Sequence, residues 1–168
     1  QIPQILLLIC GEGPAQRALA NLVHALGLQH HVRFVGYLDR ATALLDCYRA
    51  ADVFVFASRT ETQGLVLLEA MAVGVRVVST AVMGTREIVG PGKGAVVSAE
   101  NEQDFAAAVV RVLSDDALHA RLSAQALQFA KTWSAPATAV RLDAAYQELV
   151  SRIPGSAREK PTIVRTGV

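Results

Sequence analysis

Two carboxylates, Glu61 and Glu69, flank the start of one helix-like segment, and that spacing is where chemistry is expected. Residues 53–56 form an apolar run, residues 58–64 a polar turn ending at Gly64, and residues 65–73 a helical stretch closed by Gly74. A second strand, residues 75–79, is expected to follow. Strand, loop, helix, strand is the unit of a parallel α/β sheet. In such sheets ligands bind beyond the carboxyl ends of the strands, where the turn 58–64 must lie. The turn also opens a helix N-terminus, whose free N–H groups and partial positive charge suit a phosphate; those of Leu65 and Val66 are the first available. Glu69 stands roughly 8 Å along the helix axis from its start. A ligand with its phosphates on the helix start would meet one acid on each side, and carboxylates accept hydrogen bonds from sugar or ribose hydroxyls. The plainer alternative leaves Glu61 in a solvated loop and Glu69 facing water. Against it stands the sequence Leu67-Leu68-Glu69-Ala70-Met71-Ala72, because a charge in a nearly all-apolar helix needs a partner or a cavity.

The elements that position this unit follow the same α/β rhythm. Residues 5–10 (ILLLIC) are a continuous apolar run, expected as a strand buried on both faces. Gly11-Glu12-Gly13-Pro14 turns into a helix marked by Leu19, Leu22, Val23 and Leu26 and ended by Gly27. That turn is no dinucleotide fingerprint, lacking the third glycine, and it serves equally as a plain strand-to-helix turn. Residues 30–36 predict a second strand; His30 and His31 point to opposite faces and cannot chelate one ion together. A short helix entered at Asp39 carries Leu44, Leu45 and Tyr48. Beyond the central unit, residues 80–85 form a loop containing Gly84, and Arg86 and Glu87 are expected to start a helical turn. The segment Gly90–Gly94 precedes a strand at 95–98, the wrong order for a phosphate cradle. Phe105, Val109, Val110 and Leu113 make one helical stripe; Leu118, Leu122, Ala126 and Phe129 make another, with Asp115 placed as its cap. Ser134-Ala135-Pro136 starts a last helix with the stripe Leu142, Tyr146, Leu149, Val150. The fold class is therefore α/β: a Rossmann-like three-layer domain with a mostly parallel sheet of about five strands over residues 1–150, and a tail at 151–168, where Thr162–Val164 could pair or stay loose.

Composition narrows the function classes. The 168 residues carry 16 Lys and Arg against 15 Asp and Glu, so no basic field draws the chain to nucleic acid or an anionic membrane. No apolar run approaches a membrane span, and no signal peptide is visible. Cys10 and Cys47 lie in separate apolar segments without ligand spacing and are expected as buried free thiols in a reducing cytoplasm. The start at Gln1, directly before a strand, is expected for a piece of a longer protein.

Glu61 and Glu69 with seven residues between, then Ala70-Met71-Ala72, Gly74, Val77-Val78, Gly84 and Glu87, resemble the retaining glycosyltransferases of family 4. The resemblance covers nearly all of residues 4–150 and is to the C-terminal, nucleotide-sugar-binding half of a GT-B fold. It implies Glu69 on the ribose hydroxyls and Glu61 as the catalytic-site acid near the transferred sugar, with the Thr62-Gln63-Gly64 backbone against that sugar. It implies that Leu65 and Val66 hold the diphosphate, that Gly11 and Gly13 border the cleft, and that backbone at Gly36-Tyr37-Leu38 borders the base. The loop carrying Gly84 approaches the donor; Glu87 touches ligand or caps the loop. No metal or other cofactor is implied. The partners implied are a nucleotide-sugar donor, an acceptor domain N-terminal to this one, and a lipid-linked or polysaccharide acceptor, at a cytoplasmic or membrane-peripheral location. An uncovered last helix would invite self-association. Gln63-Gly64 replaces a Phe-Gly pair, as in some glycolipid-making relatives; Arg76 replaces a proline; and the Gly-Arg…Lys-Gly segment that neutralises the diphosphate is absent. A non-enzymatic nucleotide-binding module or an epimerase-like GT-B protein are the alternatives.

Overall fold

A computed structural model of the chain describes residues 2–152. The chain falls into two compact units, one ending at Lys131 and the other beginning at Thr132. In the first unit the order is β1 (Leu7–Cys10), α1 (Gln16–Ala25), β2 (Val32–Gly36), α2 (Ala43–Ala50), β3 (Val53–Phe56), α3 (Leu65–Ala72), β4 (Arg76–Ser79), a 3₁₀ turn (Met83–Glu87), β5 (Ala95–Val97), α4 (Glu102–Ser114) and α5 (Asp116–Lys131). All strand pairs are parallel, as strands joined by helical crossovers must be. The five strands hydrogen-bond in two ladders, β1-β2 and β3-β4-β5.

The three-stranded ladder carries the core. Residues alternate across it: Phe54, Phe56, Val77 and Ala95 face α3, while Val53, Val55, Val78 and Val96 face α4. The register confirms the pairing, with Phe54 opposite Val77 and Val77 opposite Ala95. Helix α5 contributes to both sides, through Ala126 and Ala130 on one and Leu118 and Leu122 on the other. Asp115 accepts the Leu118 N–H at 2.9 Å and so caps α5 as its sequence position implies. Arg76, at the amino end of β4, donates to the His119 and Asp52 carbonyls at 3.1 and 3.4 Å, far from the carboxyl ends of the strands.

The expected burial of β1 on both faces is not realised. Leu7, Leu8 and Cys10 are exposed, because β1 pairs only with β2 among the described residues and α1, none of whose residues is buried, does not close over it. Nor do Arg86 and Glu87 start the helical turn; they end it, since it begins at Met83.

The second unit contains α6 (Ala135–Ser151), capped by Ser134, whose hydroxyl accepts the Ala137 N–H. Leu142, Tyr146, Leu149 and Val150 are all more than half exposed. The expected tail begins at the end of α6, and its remainder, with Thr162–Val164, lies outside the described residues.

These burials predict opposite outcomes for one substitution. Leu67 is fully buried in α3, so Leu67→Ala should lower the unfolding free energy by about 2–5 kcal/mol. Leu142→Ala, on an exposed face, should change it by no more than about 0.5 kcal/mol. Urea titrations of the two variants check this.

Candidate functional site

A cleft of about 390 Å³ opens at the carboxyl ends of β2 and β3, where α3 begins. Tyr37, Leu38, Arg40 and Leu44 line it from one side; Glu61, Thr62, Gln63, Leu65, Val66 and Glu69 line it from the other. Both expected acids thus share one cleft with the start of α3. Helix α3 forms because its residues are almost all apolar and three of them, Leu67, Ala70 and Met71, are buried. That burial sets its rotation and leaves Glu69 facing the cleft.

The two acids do different things. The Glu61 carboxylate turns back on its own loop and accepts the N–H groups of Gly64 at 2.9 Å and Gln63 at 3.1 Å. Those two amides, Gly64 foremost, hold its carboxyl below the usual glutamate range. Gly64, the residue before α3, adopts φ +67° and supplies no side-chain cap, so the first N–H groups of the helix have no capping side chain. Glu69 sits one turn further along. Its side chain is only 20 % exposed, and it forms an ion pair with Arg40 and accepts the Tyr48 hydroxyl at 3.3 Å.

Neither Arg40 nor Tyr48 was singled out as a site residue from the sequence. Arg40 follows Asp39, whose carboxylate accepts the Ala41 N–H and the Thr42 hydroxyl at the entry to α2. Tyr48 is buried on α2 among Ala70 and Val75, edge-on to Phe54 with ring centroids 5.5 Å apart. Burial first, and the Glu69 charge second, push the Tyr48 hydroxyl up to about 12.

The loop of Glu61 is braced from behind. Gly84 donates its N–H to the Glu61 carbonyl at 3.2 Å. A Cβ on Gly84 would stand 1.9 Å from the Thr62 carbonyl oxygen, so only glycine fits. Gly84 therefore braces the loop from behind and is not itself part of the cleft lining. Glu87 is exposed at the end of the 3₁₀ turn, its carbonyl oxygen accepting the Lys93 ammonium at 2.6 Å. Where the chain enters this turn, Ala81 and Met83 both hold φ of 54°, uncommon for residues with side chains. On the outer flank Arg59 pairs with Glu100 at 2.9 Å.

Gly11 and Gly13 line a separate hollow of about 230 Å³ with Glu12, Pro14 and Phe34. Gly11 donates to the Gly36 carbonyl at 2.7 Å, joining the turns that follow β1 and β2. Here the cysteines depart from expectation. Cys10 is exposed, Cys47 half-buried, and their sulfurs approach to 3.5 Å. Sequence distance hid the pair, since 37 positions separate them. What burial Cys10 has, with the Cys47 thiol beside it, pushes its thiol up to about 11. Among the described residues no three His, Cys, Asp or Glu side chains are grouped to hold a metal ion, and no helix is long and apolar enough to cross a membrane.

Two outcomes follow from this bracing. Gly84→Ala must push the Thr62 backbone aside, so the folded state should lose about 1–3 kcal/mol, seen as a lower urea midpoint. The second concerns pH. A depressed carboxyl pKa means that the loop's hydrogen bonds are intact above the ordinary carboxylate range and are lost as pH falls through the lower, folded value. The amide resonances of Gln63 and Gly64 should therefore titrate below the ordinary glutamate range. Titration at the ordinary value would mean that the bonds do not form.

Comparison with known proteins fits this architecture. The family described as glycosyl transferases group 1 matches residues 1–129. The D-inositol 3-phosphate glycosyltransferase of Corynebacterium urealyticum is 36% identical over 152 residues, covering 86% of this chain and 35% of that protein. The lipopolysaccharide core biosynthesis glycosyltransferase LpsE of Rhizobium meliloti is 34% identical over 124 residues, covering 73% and 36%. The chain thus spans about a third of the length of the curated relatives it matches. Among solved structures, sucrose-phosphate synthase of Thermosynechococcus elongatus superposes with a TM-score of 0.71 at 28% identity, covering 89% of this chain and 40% of that one. HepE of Anabaena, in complex with UDP and glucose, gives 0.73 at 23% identity, covering 88% and 41%, a likeness of fold. With the family matched over well more than half of its residues, this chain belongs to the glycosyl transferases group 1 family.

Proposed function

We propose that this chain is the donor-binding half of a glycosyltransferase and takes a nucleoside diphosphate sugar in the cleft at the start of α3. One observation carries the reading: Glu69 faces the same cleft as the uncapped first turn of α3, with Arg40 and Tyr48 each engaging one of its oxygens. The remaining lone pairs of that carboxylate are free to accept ribose hydroxyls. The N–H groups of Leu65 and Val66 and the helix dipole receive the diphosphate and stabilise the charge that grows on it as it leaves, a role that calls for no metal. The exposed Tyr37 and the half-buried Leu38 border the base. Glu61, bound to its own loop amides, shapes the backbone of Thr62 and Gln63 against the transferred sugar.

Transfer itself, with retention, is assigned to a longer protein. The acceptor domain and the basic Gly-Arg…Lys-Gly segment implied by the family resemblance lie outside these residues. A lipid-linked or polysaccharide acceptor and a cytoplasmic, membrane-peripheral setting belong to the same proposal. The chain by itself should transfer no sugar and bind nucleotide weakly. UDP, the ligand held by the like-folded HepE, is the natural probe, with GDP as its comparison.

Calorimetry should show weak binding of one of these diphosphates, with Glu69→Ala weakening it by about tenfold or more, as loss of a hydrogen bond to a charged group requires. Binding that Glu69→Ala leaves untouched would reject this placement.

A further inference from the structure

Glu69 is held by two groups of unequal character, and the difference between them has a functional meaning. Tyr48 reaches Oε2 from inside the protein: the residue is 5 % exposed and packed against Ala70, Val75 and Phe54, so its hydroxyl has a fixed origin. Arg40 engages Oε1 from outside, with a side chain 68 % exposed on the loop before α2. The carboxylate is thereby oriented from two sides while its outer lone pairs face the cleft. A free glutamate on a helix surface samples several rotamers, and ordering it on binding opposes affinity.

We infer that Tyr48 and Arg40 are positioning residues for Glu69, a clamp that presets its carboxylate to receive the two vicinal hydroxyls of a ribose. This inference rests on the donor-site reading above and adds to it the residues that set its selectivity for ribose. The clamp works through Glu69: Tyr48 stands behind it outside the cleft lining, and Arg40, which also lines the cleft, sets the carboxylate from the other side. Its effect should therefore appear in discrimination between ligands that have the hydroxyls and ligands that lack them, not in general affinity. Among the described residues, α3 places only apolar side chains around Glu69, and the loop carboxylate Glu61 is turned to its own amides.

The test compares UDP with 2′,3′-dideoxy-UDP by ligand-observed or protein-observed NMR, which reads millimolar affinities. The wild-type chain should prefer UDP by about tenfold, the scale of a hydrogen bond to a charged group. Glu69→Gln should bring that ratio close to one. Tyr48→Phe, which keeps the ring and its packing, should cut the ratio by about threefold while leaving dideoxy-UDP affinity unchanged; Arg40→Ala should cut the ratio by about threefold as well, beyond any equal effect its charge has on both ligands. A purely structural role would weaken both ligands alike. If Glu69→Gln removes the preference but Tyr48→Phe and Arg40→Ala keep it, the clamp is overturned and the donor site stands. If the wild type shows no preference, or binds neither ligand at millimolar concentration, the donor-site reading falls and the clamp with it. A ligand-free readout runs beside these: with tyrosine labelled at Cζ, Tyr48 should titrate lower in Glu69→Gln than in wild type, yet still above an ordinary tyrosine because it stays buried. An unmoved Tyr48 titration would also overturn the clamp.

Discussion

A carboxylate on an apolar helix is the constraint from which the site follows. Helix α3 is fastened into the core by Leu67, Ala70 and Met71, and that packing fixes which way every other residue on it points. Glu69 cannot be buried without a partner, since an isolated charge away from water is costly. The fold meets this with Tyr48 and Arg40, both from the segment around α2, and with a cleft that keeps the carboxylate partly in solvent. Packing in the core and polarity at the surface are thus the same problem solved on one helix. The position of α2 against α3, through Tyr48, Ala70 and Val75, is what makes the solution possible.

The loop before α3 has a different kind of support. It is short, polar and exposed, and would sample many conformations if left alone. Three contacts restrict it: the Glu61 carboxylate on the Gln63 and Gly64 amides, the Gly84 N–H on the Glu61 carbonyl, and the near-contact of Gly84 with Thr62. All three are local to the carboxyl ends of β3 and β4. The strained backbone at Ala81 and Met83 lies in the same place, consistent with strain being tolerated where neighbouring structure over-determines the chain. A loop built this way presents its backbone in one arrangement, which is what recognition by N–H groups needs.

Much of this was legible in the residues. The run of strand, polar turn, apolar helix and strand gave β3, α3 and β4 to within a residue or so, because local period and punctuation both pointed the same way. Glu69 stood out for the reason that now explains it, a charge among apolar neighbours. Its partners did not, since Tyr48 lies 21 positions away and Arg40 29, and an ordinary helix tyrosine and a loop arginine carry no mark of what they will touch. The same blindness covered the cysteines, which meet only because the β1 end and α2 come together. The error at β1 was of another kind. An apolar run reports that a strand is fit to be buried; whether it is buried depends on what covers it, and here neither α1 nor a second neighbouring strand does so among the described residues. Division of the strands into two ladders was equally invisible, because pairing partners are not written in the strands' own periodicity.

The contrast between the two acids bears on how the donor reading should be understood. From spacing alone they look like equivalent groups framing a ligand. In the structure Glu61 gives one oxygen, Oε1, to two backbone amides, while Glu69 is anchored by side chains at both oxygens and keeps its remaining lone pairs for the cleft. An acid whose proton affinity is lowered by backbone N–H groups is a poor general base or acid near neutral pH, where it stays ionised. Its negative charge beside the first turn of α3 would also repel a diphosphate unless the helix N–H groups outweigh it. On the proposed reading Glu61 therefore acts chiefly by fixing the loop that meets the sugar. The leaving group is then stabilised by α3 and not by proton transfer from a loop carboxylate, and the side chain that discriminates between ligands is Glu69.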